Sequence, residues 1–230
     1  MAVPTLSDLS LSEVRQRVCE VYRRGSGTRP DVLLVSVDGE LAVLKDHGAC
    51  DPWFARVLGP FLAGRESRTL QRLHGTRGIP ALLGRPDSRS LLIEHIHATS
   101  LAESAEGTDW RAFFKRMDEL LAEMHARGIA HCDLRSPFNT LISDGGEPFI
   151  VDYVASLSRG RPWNIVANWL FTHFARADEE AMIKLKISVA PELVSEPEHA
   201  RYTSQSGLER AARWIGSSVR TLSRNLFTRR

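Results

Sequence analysis

Apolar positions along the chain follow two periods. Leu11, Val14, Val18 and Val21 recur at helical spacing between Leu9 and Arg24, and Ser10 or Ser12 is placed to cap, so a leading helix is predicted there. Asp31 to Val37 and Glu40 to Leu44 are instead β-branched or apolar runs, separated by the hairpin-turn pair Asp38-Gly39. Helical spacing returns from Phe61 to Leu73, with Leu62, Leu70 and Leu73 on one face. After the break at Gly78-Ile79-Pro80, Ala81-Leu82-Leu83 and Ser90 to Ile93 suit two more strands of the same sheet, with Arg85 to Ser88 as their turn. Asp109 then caps an amphipathic helix whose stripe is Trp110, Phe113, Met117, Leu120, Leu121 and Met124, closed by Gly128. A short hairpin follows, Leu141-Ile142 and Phe149-Ile150-Val151 about a turn at Asp144-Gly145-Gly146. Beyond it the pattern predicts a helix over Trp163 to Phe174, another capped by Asp178 and running to Ile187, and a last one over Gly207 to Arg230.

Strands crowd the first part and helices the second, which predicts an α+β fold with an antiparallel sheet and a mainly helical remainder. The 230 residues suffice for one domain of two lobes, and 43% hydrophobic with 25% charged residues is globular composition. Cys19, Cys50 and Cys132 are odd in number and widely spaced, so free thiols are expected rather than disulfides or a zinc ribbon. The start lacks the basic and apolar regions of a secretory signal, and no apolar run is long enough to span a bilayer. A cytoplasmic protein is expected. A net charge of +2 gives no reason to expect nucleic acid as a partner.

Candidate chemistry concentrates between His131 and Asp152. Asp133, Asn139 and Asp152 stand at the ends of the short hairpin, which suits phosphoryl transfer: a carboxylate beside the attacking hydroxyl, and oxygen ligands for the magnesium ion that bridges nucleotide phosphates. Asp and Asn also populate loops because they stabilise turns. Upstream, Gly25 and Gly27 in Arg24 to Arg29 would let backbone N–H groups approach phosphates, although two glycines equally suit a plain turn. Lys45 follows the apolar Leu41 to Leu44, where a lysine is more often simply solvated. Glu66 lies four residues from both Leu62 and Leu70, so it shares their buried face and needs a partner, with Lys45 the natural one; the alternative is a Glu66 at the edge of the stripe that reaches water. His95 and His97 form a pair to which a metal could bind, with few other ligands nearby.

The sequence His131-Cys132-Asp133 with Asn139, then Asp152, resembles the catalytic loop and metal-binding Asp of the protein-kinase-like superfamily. Leu41 to Lys45 resembles the strand that bears the kinase lysine. The order of glycine loop, Lys45, Glu66, link and catalytic loop also follows that plan. Three departures stand out: Cys132 replaces Arg, Tyr153-Val154 replaces Phe-Gly, and one extra residue separates Asp133 from Asn139. A two-lobed fold is implied, with residues 24–95 as the sheet lobe, 96–200 as a reduced helical lobe and 201–230 as a basic amphipathic helix. The resemblance implies ATP and Mg2+ as cofactors. Lys45, oriented by Glu66, would hold the α- and β-phosphates, under a loop containing Gly25 and Gly27. Asn139 and Asp152 would ligate magnesium, Asp133 would act as base, Arg135 would neutralise the γ-phosphate, and His131 would support the loop.

Within the superfamily the chain is similar to the lipopolysaccharide core kinases, which phosphorylate Kdo or heptose, with the RIO and Bud32 atypical protein kinases as neighbours. Aminoglycoside and choline kinases share the same plan. Beyond Asp152 no Ala-Pro-Glu sequence is expected to close a regulatory activation segment, so regulation by phosphorylation there is not expected. The acceptor expected is a lipid-linked sugar or a protein, and a pseudokinase remains a further alternative. The terminal segment, with its apolar stripe and Arg210, Arg213, Arg220 and Arg224, suits an anionic membrane surface as well as packing on the domain.

Overall fold

The computed structural model describes residues 9–204 apart from 38, 102 and 104–106. The predicted C-terminal helix and most of the acidic loop at 103–107 therefore lie outside the described residues. The chain divides between Glu179 and Glu180 into two compact units.

The first unit begins with helix α1 (Leu11–Arg15), where Ser10 and Glu13 form a reciprocal capping box. The predicted leading helix stops there, and Val18–Arg23 is a strand, β1. Val18, Val21 and Tyr22 are β-branched or aromatic, and the backbone bonds offered by the next strand outweigh a helical spacing of only a few residues. Strands β2 (Asp31–Val37), β3 (Glu40–Asp46), β4 (Leu82–Gly84) and β5 (Ser90–Glu94) complete an antiparallel sheet in the order β1-β2-β3-β5-β4. The sheet therefore starts six residues before the lobe boundary expected at residue 24.

Register sorts the side chains of this sheet. Leu33 opposes Leu44, which opposes Leu92, and with Val35, Val37 and Ala42 they form one apolar face closed by Leu9 and Val14. Lys45 lies one residue along β3 and so points to the other face, where helix α3 (Gly59–Arg72) packs after the short helix α2 (Pro52–Val57). The strands and helices on this side bracket the link after β5.

Strand β6 (Ala98–Ser100) precedes helix α4 (Trp110–Ala126), which Asp109 caps through a 3.0 Å bond from the Ala112 N–H. Phe113, Met117, Leu120, Leu121 and Met124 are buried as predicted, with Phe114 beside them. Strands β7 (Ile129–Ala130), β8 (Thr140–Ser143), β9 (Pro148–Ile150) and β10 (Leu157–Ser158) form two small sheets, β6-β8-β9 and β10-β7. Helix α5 (Ile165–Val189) is continuous where two helices are predicted. Asp178 is an interior residue of it, because its carboxylate caps a different part of the chain.

From Glu180 onward the second unit contains the end of α5 and helix α6 (Glu196–Ser204), tied by a 2.6 Å bond from Lys186 to Glu198. The sequence does contain an Ala-Pro-Glu triplet, Ala190-Pro191-Glu192, a correction to the expected lack of one; it falls in the turn after α5. No helix among the described residues is long and apolar enough to cross a membrane.

Gly78 sits at φ +86°, and a Cβ there would lie 2.6 Å from the Pro148 carbonyl and 2.7 Å from Leu120 Cδ2. Its own carbonyl accepts from the Ile150 N–H at 2.9 Å, so strand β9 cannot shift away without losing that bond. Gly78→Ala is expected to lower stability by about 2–4 kcal/mol through backbone strain and overpacking, read from urea unfolding. An unchanged midpoint would refute the close packing.

Candidate active site

Arg23, Val32, Lys45 and Leu91 are successive cross-strand partners over β1, β2, β3 and β5, so their side chains share one face. Lys45 is almost fully buried on that face. Its Nζ donates to Glu66 Oε1 at 2.7 Å and to Asp152 Oδ1 at 2.8 Å. The turn of α3 that carries Glu66 also grips the chain past Asp152: the Arg65 guanidinium donates to the Ala155 carbonyl at 2.9 Å and to that of Ser156, and Thr69 and Ser156 hydroxyls lie 2.8 Å apart. One helix thus holds both carboxylates to one cation.

Burial alone would lower the Lys45 pKa, but the Asp152 and Glu66 charges outweigh it and raise it. Asp152 is drawn down to about 2, chiefly by the Lys45 charge. Glu66 is raised, first by burial, with Lys45 opposing and Asp152 reinforcing. Lys45 and Asp152 therefore remain ionised at neutral pH, and Asp152 keeps part of its side chain in solvent at 35% exposure.

The loop after β7 is fixed from behind. Asp178, buried in α5, accepts the His131 N–H at 2.7 Å and the Cys132 N–H at 2.9 Å, while His125 Nε2 lies 3.2 Å away. This replaces the helix cap predicted for Asp178. Cys132 takes φ +70° and Asp152 φ +69°, the two non-glycine residues with positive φ among those described. Such backbone persists because its neighbours over-determine it. Cys132 occupies the motif's Arg position with its thiol pushed up to about 12, mainly by burial, so it is no nucleophile at neutral pH.

His131, placed among the catalytic residues by its motif, has no exposed surface. Its Nδ1 receives the Asp133 N–H at 3.3 Å, which assigns the proton to Nε2, and that nitrogen donates to the Val151 carbonyl at 2.9 Å. Burial lowers its pKa. Its ring ties the segment before Asp152 to the loop that bears Asp133. Tyr153 packs edge-on against it at 4.9 Å and is 1% exposed, so an aromatic ring fills the place of the motif's Phe. Val154 lies in a 3-10 turn at negative φ, where glycine is not required.

The extra residue before Asn139 is absorbed in a second 3-10 turn, Pro137–Asn139. Asn139 still reaches Asp133: its Nδ2 donates to the Asp133 carbonyl at 2.9 Å and to Asp133 Oδ2 at 3.2 Å. Its Oδ1 is thereby assigned as the atom for a cation. The Val151 N–H bonds the Asn139 carbonyl at 3.0 Å, which brings Asp152 alongside. An ionised carboxylate and an amide oxygen are hard donors that suit Mg2+ when phosphates and water complete its shell. Asp133 and Arg135 are exposed on the same loop.

The glycine loop departs from expectation. The Gly25 N–H is engaged by Asp31 Oδ1 at 2.6 Å, and a Cβ at Gly25 would lie 2.8 Å from that of Ala49. Gly25 is therefore a packing glycine in this conformation rather than a phosphate donor. Ser26 and Arg29 pair backbone to backbone, leaving Gly27, at φ +59°, at an open tip. Arg15 braces the loop's base by bonding Asp46 and, at 3.3 Å, Asp31.

Sequence reasoning missed Arg23, visible only through sheet register, and Tyr22, whose hydroxyl lies 3.1 Å from His95 Nε2 with the rings stacked at 6.4 Å. It also missed His47, which is 2% exposed with both ring nitrogens unbonded. Burial, then the Lys45 charge, pushes His47 down to about 4. Among the described residues no cluster of three or more His, Cys, Asp or Glu side chains could hold a metal, so His95 and His97 are not supported as a metal pair.

No family model and no curated protein matches the chain. Among solved structures it is similar to the Rio2 kinase of Chaetomium thermophilum in an ADP/Mg2+-phosphoaspartate complex, with a TM-score of 0.61 and 16% identity over 80% of this chain. This chain spans 60% of that one. A second Rio2 structure from the same organism gives a TM-score of 0.52 and 15% identity over 87% of this chain and 76% of that one. At this identity the likeness shows the fold: protein-kinase-like, with an antiparallel-sheet N-lobe and a helical C-lobe.

The histidines set a pH dependence. Unfolded, His47 binds a proton near 6.5; folded, only near 4, so the unfolded state holds more protons between these values and stability falls as pH drops through that window. His131 acts in the same direction. Asp152 is shifted in the same direction and withdraws its contribution as pH falls from its unfolded value towards 2. Urea midpoints should decline below pH 6.5 and again below 4, and His47→Leu should flatten the upper decline. A flat profile between 6.5 and 4 would contradict the buried neutral histidines.

Proposed function

We propose that the chain is an ATP-dependent phosphotransferase that transfers the γ-phosphate to a hydroxyl. The observation that carries this reading is Lys45 held between Glu66 and Asp152 on the sheet face that meets α3, with Asp133 and Asn139 bonded to each other on the loop after β7. ATP with magnesium would supply the transferable phosphoryl group. Lys45, kept charged and aimed by Glu66, binds the α- and β-phosphates, with Arg23 adding charge along the same row. Asp152 and Asn139, the latter through Oδ1, would hold the magnesium ion, which would offset the phosphate charge. Asp133 orients the acceptor hydroxyl and takes its proton as the new O–P bond forms and the β–γ bridge breaks; Arg135 offsets charge on the transferring group. Gly27, held at the loop tip by the Asp51 N–H on its carbonyl at 2.8 Å, would offer its backbone to the phosphates, while Gly25 sets the loop's base.

The acceptor best supported is a protein serine or threonine hydroxyl, as in a RIO-like kinase, because two solved structures that resemble the chain are of a Rio2 kinase. The lipopolysaccharide sugar is supported by the reduced C-terminal lobe and by the basic terminal segment, most of which lies outside the described residues.

Three measurements test the reading. ATP with magnesium should raise the melting temperature, and Lys45→Met should remove most of that shift. Asp133→Asn should keep the shift but lower turnover of γ-labelled ATP by about 10²–10⁴-fold. No magnesium-dependent shift in the wild type would sink the enzyme in favour of a binding module, and label entering only a dephosphorylated lipid-linked sugar would overturn the protein acceptor.

A further inference from the structure

The N-terminal half of α5 exposes what a soluble helix usually hides. Trp163 is 74% exposed, Ile165 78%, Val166 69% and Trp169 65%. Contiguous apolar area of this kind marks an interaction surface. The helix has an inward side nearby: Phe171 is 4% exposed, with the Arg159 guanidinium 4.4 Å over its ring. The outward side is therefore a second face, unpartnered among the described residues.

Charge says what covers it. Residues 157–177 contain Arg159, Arg161 and Arg176 and no Asp or Glu. Arg161 lies 5.6 Å from the Trp163 ring, and Trp169 stacks on His173 at 5.8 Å. Arg176 lines an open groove of ≈480 Å³ with Ile165 and Trp169, and Arg161 lines another of ≈570 Å³ with Trp163 and Val166. Tryptophan and branched aliphatics flanked by arginines are the composition of a surface that lies in a lipid interface, with rings at the headgroup level and guanidinium groups on phosphates. A second copy would set arginine against arginine. This helix has the length to cross a bilayer, with 25 residues, but is not apolar enough to do so.

We propose that Trp163, Ile165, Val166 and Trp169, with Arg161 and Arg176, form a docking surface for an anionic lipid bilayer. This site is separate from the terminal basic segment and does not depend on the phosphotransfer reading. It has a geometric consequence for the cleft: Trp169 and Asp178 lie on one rigid helix, about 14 Å apart along its axis, and Asp178 holds the backbone of His131 and Cys132.

The test is co-sedimentation of the full chain with phosphatidylcholine vesicles, with and without phosphatidylglycerol. Wild type should bind the anionic vesicles and release them as salt rises. W163S/W169S should lower that partitioning by about tenfold or more, and R161Q/R176Q by about tenfold on the anionic vesicles alone. All four positions are exposed, so thermal unfolding of both variants should match wild type. Absence of wild-type binding, or binding unchanged in both variants because another segment carries it, would overturn the proposal. So would a wild-type dimer that ignores vesicles and dissociates in W163S/W169S, since that outcome assigns the face to a second copy.

Discussion

Lys45 bonded at once to Glu66 and Asp152 is the interaction on which the described architecture turns. The three residues come from strand β3, helix α3 and the end of the small hairpin, so the contact exists only when the sheet, the helix over it and the catalytic loop are all in place. A buried lysine without partners would shed its proton, and a buried glutamate without one would take one up. Each supports the charge of the other, while Asp152 remains partly in solvent and free to change partner. A buried charge pair contributes little net stability by itself, which points to specification of this arrangement as the reason for its presence.

The second constraint is carried by backbone N–H groups. The loop bearing Asp133 turns through left-handed Cys132, and its exposed amides would have no place in a helix or sheet. Asp178 accepts two of them from α5, and His131 links the same loop to Val151 through its ring. Asp133 can therefore be exposed and still held, because the backbone behind it is bonded to Asp178 and, through the His131 ring, to Val151. The left-handed Asp152 is fixed in the same way, between the His131 bond on one side and the α3 contacts on the other.

The departures from the kinase pattern have local physical accounts. Tyr153 supplies the ring that Phe would, Val154 stands in a turn at negative φ, and the extra residue before Asn139 lengthens a 3-10 turn instead of moving the side chain. The glycine loop is the real difference, since Gly25 serves packing against Ala49 and a bond to Asp31 in this conformation.

Local chemistry in the sequence determined much of this: the strands about Asp38-Gly39, the stripe of α4 with its Asp109 cap, and the inward position of Glu66 all follow from periodicity and capping within one element. Periodicity failed where two elements compete for the same residues. Val18 and Val21 fit a helix as well as a strand until β2 offers its backbone, and Asp178 looks like a cap until α5 runs through it. The row from Arg23 to Lys45, the neutral buried His47 and the engagement of Gly25 were decided only by tertiary structure. Register, desolvation and close approach depend on which distant segments meet, and no spacing along the chain records that.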